Sequence, residues 1–150
     1  MIRKINVNDA AFVQALINKY SKTNAVLPRS LNDIYENLRD FFIYQEDDKI
    51  IGCCALHVTW DNLAEIRSLI VEESMRTKGI GSLLVDACCA EAKQLKVKKI
   101  FLLTAKPEFF SKLGFKKIDK AELPHKIWSD CLKCIQFPNC NEDAMAKQIE

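Results

Sequence analysis

The chain has 150 residues, 49% hydrophobic and 28% charged, which suits one globular domain with a sizeable core and excludes a disordered chain. Its 22 basic and 20 acidic residues leave a net charge of +2, so bulk charge makes no case for a nucleic-acid or membrane-surface partner. No apolar run approaches the ~20 residues that cross a bilayer, Met1 to Ile5 lacks the apolar core of a leader peptide, and seven cysteines, an odd number with two adjacent pairs, do not form a disulfide framework, so a reducing cytoplasm is the expected location.

Ile2, Ile5 and Val7 predict a first strand. Asn8 or Asp9 then caps a helix whose apolar residues Phe12, Val13, Leu16, Ile17 and Tyr20 recur at helical spacing. Residues 21–29 read as a loop, and Ser30 with Asp33 three residues later opens a short helix through Leu38. Residues 41–46 and 50–60 read as strands joined at Asp47-Asp48-Lys49, and Asp61-Asn62 turns the chain into a strand over 63–71. A helix over 80–95 is expected to turn Ile80, Leu83, Leu84, Ala87, Cys88 and Leu95 inward. Residues 98–104 form a further strand. Pro107 starts a short helix that Gly114 ends, and 115–118 give a last core strand. From Leu123 the composition shifts to Pro, Trp, His and Cys. Residues 121–150 are therefore expected as an appended segment that packs on a 1–120 domain outside its core. The fold class is α/β, a mixed, mostly antiparallel sheet flanked by helices.

One segment carries chemistry. Arg76-Thr77-Lys78-Gly79-Ile80-Gly81 lies between the apolar run 66–71 and the long amphipathic helix. Glycine lets the backbone approach a ligand, and N–H groups at a helix start can point at phosphate oxygens. The helix dipole adds roughly half a positive charge there. The alternative is an ordinary strand-to-helix turn whose glycines serve geometry alone.

The strand 66–71, Arg76-x-x-Gly79-x-Gly81, the amphipathic helix and the stretch 107–115 ending in Leu113-Gly114-Phe115 together resemble the GNAT acetyltransferase superfamily. That resemblance implies the acyl-CoA N-acyltransferase fold, acetyl-CoA as cosubstrate and acetyl transfer to an amine. It also implies that Leu69, Ile70 and Val71 offer backbone groups to the pantetheine arm, and that Arg76, Thr77, Lys78, Gly79, Ile80, Gly81 and Ser82 hold the pyrophosphate. A closer likeness is to the acetyltransferase domain of N-acetylglutamate synthases, above all short stand-alone forms. Pro28-Arg29-Ser30, the segment 51–56, Leu63-Ala64-Glu65-Ile66-Arg67, Leu103-Thr104 and Phe109-Phe110 carry it. Longer synthases place an amino-acid-kinase-like domain in front of this one, so feedback by arginine through such a domain is not implied here.

Acetyl transfer needs a proton acceptor for the substrate ammonium and a polarised thioester. Glu65, on the strand that would flank the acetyl group, is the first candidate base, where burial would raise its pKa toward the working range. Its alternative is an ion pair with Arg67, two residues along the same strand face. His57 on the preceding strand is the rival base. Many GNAT enzymes carry a tyrosine four residues before the final Gly-Phe glycine. This chain has Phe110, which cannot protonate a thiolate and is expected to pack or to touch the pantetheine. For a dicarboxylate amino acid the cationic anchors are Arg29, Arg67 and Lys106.

His125, Cys131, Cys134 and Cys140 are a candidate structural zinc site, weighed against reduced thiols packed beside Trp128 and Phe137. The functional expectation is an N-acetyltransferase acting on a small amine, L-glutamate first, which belongs to arginine biosynthesis. The rivals are a GNAT enzyme acting on another amine or a protein amino group, and a non-catalytic acetyl-CoA sensor. Exposed strand edges and the tail permit a homodimer.

Overall fold

A computed structural model describes residues 1–21, 27–122 and 142–149. Among these, seven strands form one sheet, β1 (Ile2–Lys4), β2 (Phe41–Glu46), β3 (Lys49–Trp60), β4 (Leu63–Val71), β5 (Lys99–Thr104), β6 (Lys116–Ile118) and β7 (Asp143–Gln148), in the order β1-β2-β3-β4-β5-β7-β6. The helices are α1 (Ala10–Tyr20), α2 (Leu31–Glu36), α3 (Ile80–Gln94) and α4 (Pro107–Ser111). None of the described helices is long and apolar enough to cross a membrane.

Local sequence explains most boundaries. The first strand stops at Lys4 because Asn6 caps a 3-10 turn, its side chain accepting from the Asn8 N–H while Asp9 accepts from the Asn6 N–H. Val7 is therefore exposed in a turn and not buried in a strand. Ser30 caps α2 as expected, its hydroxyl accepting from the Asp33 N–H at 3.0 Å. Asp47 and Asp48 both adopt positive φ, the conformation a two-residue hairpin needs.

One apolar layer lies between the sheet and α1 with α2, and includes Val13, Ile17, Ile34, Phe41, Ile43, Cys53 and Ile70. The other lies under α3 and includes Cys54, Leu56, Ile66, Leu84, Cys88 and Met145. Adjacent Cys53 and Cys54 thus enter opposite layers, as strand alternation requires. All four described cysteines are free thiols. Burial pushes the Cys53 thiol up to about 12, so it stays neutral and packs as a small hydrophobe.

Two expectations change. α3 buries Ile80, Leu84, Val85, Cys88 and Ala92, while Leu83 and Leu95 are 48% and 53% exposed, so the inward stripe is rotated from the expected one. The expectation that 121–150 lies outside the core also fails for Asp143–Gln148. This segment is β7, antiparallel to β5 on one side and to β6 on the other, with Ala144, Met145 and Ala146 buried. Its physical basis is pairing on both edges, and Lys147 adds a tie by donating to the Leu113 carbonyl at 2.8 Å.

Candidate active site

β4 and β5 run parallel, but their ladder holds only three pairs, the last joining Glu65 to Phe101. β4 continues to Val71 and β5 to Thr104. The strands part, and Glu65 stands at the apex of the opening. A bulge reinforces this: between Cys53–Ile70 and Ala55–Arg67 the register shifts, with Ser68 at φ 55°. The extra residue reverses the facing, so Ala64 and Ile66 point into the α3 layer before it and Leu69 and Val71 after it. Backbone groups of Leu69, Ile70 and Val71 therefore border the opening on the β4 side, where the cofactor arm was expected.

The glycine turn lies at the end of β4. Gly79 adopts φ 80° at the N-cap of α3, with no side-chain cap; at that φ an L side chain is strained. The first-turn N–H groups of a helix lack a carbonyl four residues back, so those of Ile80, Gly81 and Ser82 present a concave donor set to an anion. A Cβ on Gly81 would come within 3.3 Å of Phe109, which places α4 against the mouth of the turn. Thr77 and Lys78 are exposed beside it. Arg76 turns back: its Nε donates to the Val71 carbonyl at 3.0 Å and its guanidinium lies 4.9 Å from the Tyr20 ring centre. That side chain thus shapes the turn. Phe110 is 5% exposed and packs edge-on against Phe109 and Phe115 at 4.9 and 5.6 Å. Phe110, expected to pack or to touch the pantetheine, packs as a core ring between its two neighbours.

On the opposite face of the sheet, four predicted residues converge. Arg29 is 8% exposed. Its Nε donates to Asp33 Oδ2 at 2.7 Å, its Nη1 to the Ser68 hydroxyl at 3.3 Å, and its guanidinium lies 4.9 Å from the Phe41 ring centre. Phe41 pairs with Ala55, which pairs with Arg67, and the next facing pair is His57 with Glu65. Facing residues share a sheet face, so Arg67, Glu65 and His57 lie on one face, which Arg29 meets through Phe41 and Ser68. Glu65, 7% exposed, accepts a hydrogen bond from Arg67 Nε, the ion pair the two-residue spacing allowed. Burial pushes the Asp33 carboxyl up, but Arg29 by hydrogen bond and charge, with Asn37 and Arg67, outweighs it and leaves the group below its usual range.

His57 Nδ1 lies 2.7 Å from Asp40 Oδ2. Sequence reasoning missed Asp40, which lies 17 residues from His57 and carries no local signal of the contact. Lys106 is exposed just beyond β5, its N–H donating to the Thr104 hydroxyl at 2.9 Å. His125, Cys131, Cys134 and Cys140 lie outside the described residues. Among the described residues no group of three or more His, Cys, Asp or Glu side chains is placed to hold a metal. A surface concavity of about 420 Å³, lined by Arg3, Phe12, Lys19 and Ile50, opens between α1 and the β2–β3 hairpin, away from the cleft; its Arg3 and Lys19 are already paired with Asp9 and Glu72.

Residues 37–117 match the Acetyltransferase (GNAT) domain family. The chain is 39% identical over 148 residues to an uncharacterised N-acetyltransferase of Chlorobaculum tepidum, covering 99% of this chain and 96% of that protein. It is 30% identical over 133 residues to an amino-acid acetyltransferase of Mycobacterium tuberculosis, covering 87% and 76%. Among solved structures, Rv2747 from Mycobacterium tuberculosis, in complex with CoA and NLQ, superposes over 100% of this chain and 99% of that one, with a TM-score of 0.86 and 26% identity. N-acetylglutamate synthase from Neisseria gonorrhoeae, complexed with coenzyme A and N-acetyl-glutamate, shares the fold with a TM-score of 0.89, 23% identity and coverage of 100% and 35%. The parted strands, the glycine-capped helix and these likenesses agree, and the chain belongs to the GNAT acetyltransferase family.

Proposed function

We propose that this enzyme transfers the acetyl group of acetyl-CoA to the amino group of L-glutamate, the opening chemistry of arginine biosynthesis, in the cytoplasm. The observation that carries the acceptor is Arg29, a buried guanidinium that reaches Ser68 of β4 on the sheet face that Arg67 shares. A buried arginine is a strong carboxylate anchor, because its planar fork gives two directed, charge-assisted hydrogen bonds. The name of the mycobacterial relative, amino-acid acetyltransferase, and the N-acetyl-glutamate in the neisserial structure support the reading.

In this mechanism Arg29 and Arg67 orient the acceptor's carboxylates, so that its amine faces the apex of the parted strands. Glu65 at that apex takes the ammonium proton, directly or through a water, with His57 as the neighbouring base. The amine nitrogen then bonds to the thioester carbon and gives up its second proton to solvent, and the carbon–sulfur bond breaks as the thiolate leaves with its electron pair. The bound cosubstrate supplies the acetyl group and a good leaving group. Backbone groups of 69–71 and the first-turn amides of α3 hold its arm and pyrophosphate. Phe110 offers no proton, so the thiolate is protonated by solvent.

One observation favours a different acceptor. Arg29 and Arg67 each already hold a carboxylate, Asp33 and Glu65, so a dicarboxylate has to share them. The test is mass-spectrometric detection of product after incubation with acetyl-CoA and a panel of amines, a readout that the chain's cysteine thiols do not disturb. N-acetylglutamate as the dominant product is the expected result. A different dominant product keeps the enzyme class and discards glutamate, and acetyl-CoA binding without any product points to a protein substrate or a sensor.

A further inference from the structure

We infer that the last turn and a half of α1 is a brace between the two subsites, with Tyr20 the positioning residue for the cofactor turn and Asn18 the positioning residue for the acceptor anchor. The inference rests on the reading of the 76–82 turn as the acetyl-CoA cradle. Three contacts run from α1 to that turn and to the residues that lead into it. The Tyr20 hydroxyl accepts from the Glu73 N–H at 3.0 Å. Its ring carries the Arg76 guanidinium at 4.9 Å, and that same side chain donates to the Val71 carbonyl. Lys19, one residue earlier, pairs with Glu72 at 3.1 Å.

The same helix holds Arg29 by its backbone. Asn18 accepts from the Arg29 N–H at 3.0 Å and donates to the Arg29 carbonyl at 3.2 Å, and Gln14 donates to that carbonyl at 3.3 Å. Val13, Ile17 and Tyr20 are buried against the sheet, so the helix cannot rotate without leaving the core. Fixed to the core in this way, the helix holds each subsite in place through a separate set of contacts. Tyr20 is the informative residue because its hydroxyl holds Glu73, just before the turn, while its ring holds Arg76 within it.

Calorimetric titration of acetyl-CoA into Tyr20→Phe, Tyr20→Leu and Asn18→Ala tests the assignment. Losing one hydrogen bond that positions the turn is expected to raise the acetyl-CoA Kd of Y20F about three- to tenfold. Y20L, which also removes the Arg76 platform, is expected to weaken it further. N18A is expected to hold acetyl-CoA within about twofold of wild type while raising the KM for the acceptor. A Y20F Kd equal to wild type, or equal weakening in Y20F and N18A, overturns the brace. Failure of wild type to bind acetyl-CoA overturns the cradle reading instead, and binding without glutamate turnover overturns only the acceptor. Hydrogen exchange on the wild type gives a check without mutation: acetyl-CoA should protect amides of α1 near Tyr20 along with those of 72–82, and protection confined to 72–82 counts against the brace.

Discussion

Arg29 shows how several partners can hold a single side chain before any ligand arrives. Its stem and guanidinium lie over Phe41, Nε is on Asp33, Nη1 reaches Ser68, and its backbone is gripped by α1. Holding the fork in place beforehand reduces the ordering cost of binding a carboxylate. Arg29→Ala is expected to raise the acceptor KM at least about tenfold, the loss of one charge-assisted pair, with the acetyl-CoA KM nearly unchanged. Steady-state kinetics in both substrates checks this, and equal effects on the two take Arg29 out of the acceptor site. Arg29→Lys should not restore the wild-type KM, because an ammonium cannot reproduce the fork. Glu65 poses the complementary question, since its ion pair with Arg67 makes it structural as well as chemical. Glu65→Gln is expected to lower kcat by about two orders of magnitude if it moves the proton, with little change in acetyl-CoA KM. A loss of thermal stability with kcat preserved would leave it only the structural role. The sequence pointed to both residues through the segments Pro28-Arg29-Ser30 and 63–67. It did not point to Asn18, Tyr20 or Asp40, whose roles depend on contacts 11, 53 and 17 residues away.

At the scale of elements, α3 joins cofactor chemistry to packing. Its glycine-capped start faces the mouth of the cleft, and its body lies on β3 and β4. Gly52 of β3 is what permits that approach: a Cβ there would sit 3.1 Å from Leu84 Cδ1 and 3.2 Å from the Ile70 carbonyl oxygen. Gly52→Val is expected to cost about 1–3 kcal/mol, the usual effect of overpacking. Leu83→Ala, on the exposed side of the same helix, should change stability by no more than about 0.5 kcal/mol. Thermal or denaturant unfolding of the pair measures the contrast, and a larger loss at Leu83 would mean the inward stripe is wrong. The helix and its extent were readable from periodicity. Its rotation was not, because leucines recur on both flanks of the stripe and only the sheet beneath selects between them.

For the whole molecule, β7 decides whether the domain is closed. It fills the gap between β5 and β6, so the chain's C-terminal residues complete the sheet that the first 120 residues leave open. Met145, fully buried in the α3 layer, is the core contribution of that strand. Met145→Ala is expected to cost about 2–5 kcal/mol, read as a drop in the unfolding midpoint. A chain ending at residue 122 should lose cooperative unfolding, because β5 and β6 would keep unpaired edges. A cooperative transition in the truncated chain would return β7 to the role of an appendage.

The sequence by itself determined the fold class and the strand–turn–helix with its glycines, and it singled out the arginines offered as carboxylate anchors. Those features live in short windows where local spacing, turn chemistry and periodicity speak directly. Tertiary structure alone decided that β4 and β5 part at Glu65, that Arg29 meets the sheet face carrying Arg67 and His57, and that Asp143–Gln148 enters the sheet. Each of these depends on hydrogen-bond pairing between segments far apart in the chain, and the energy of such pairing depends on neighbours that no local window contains.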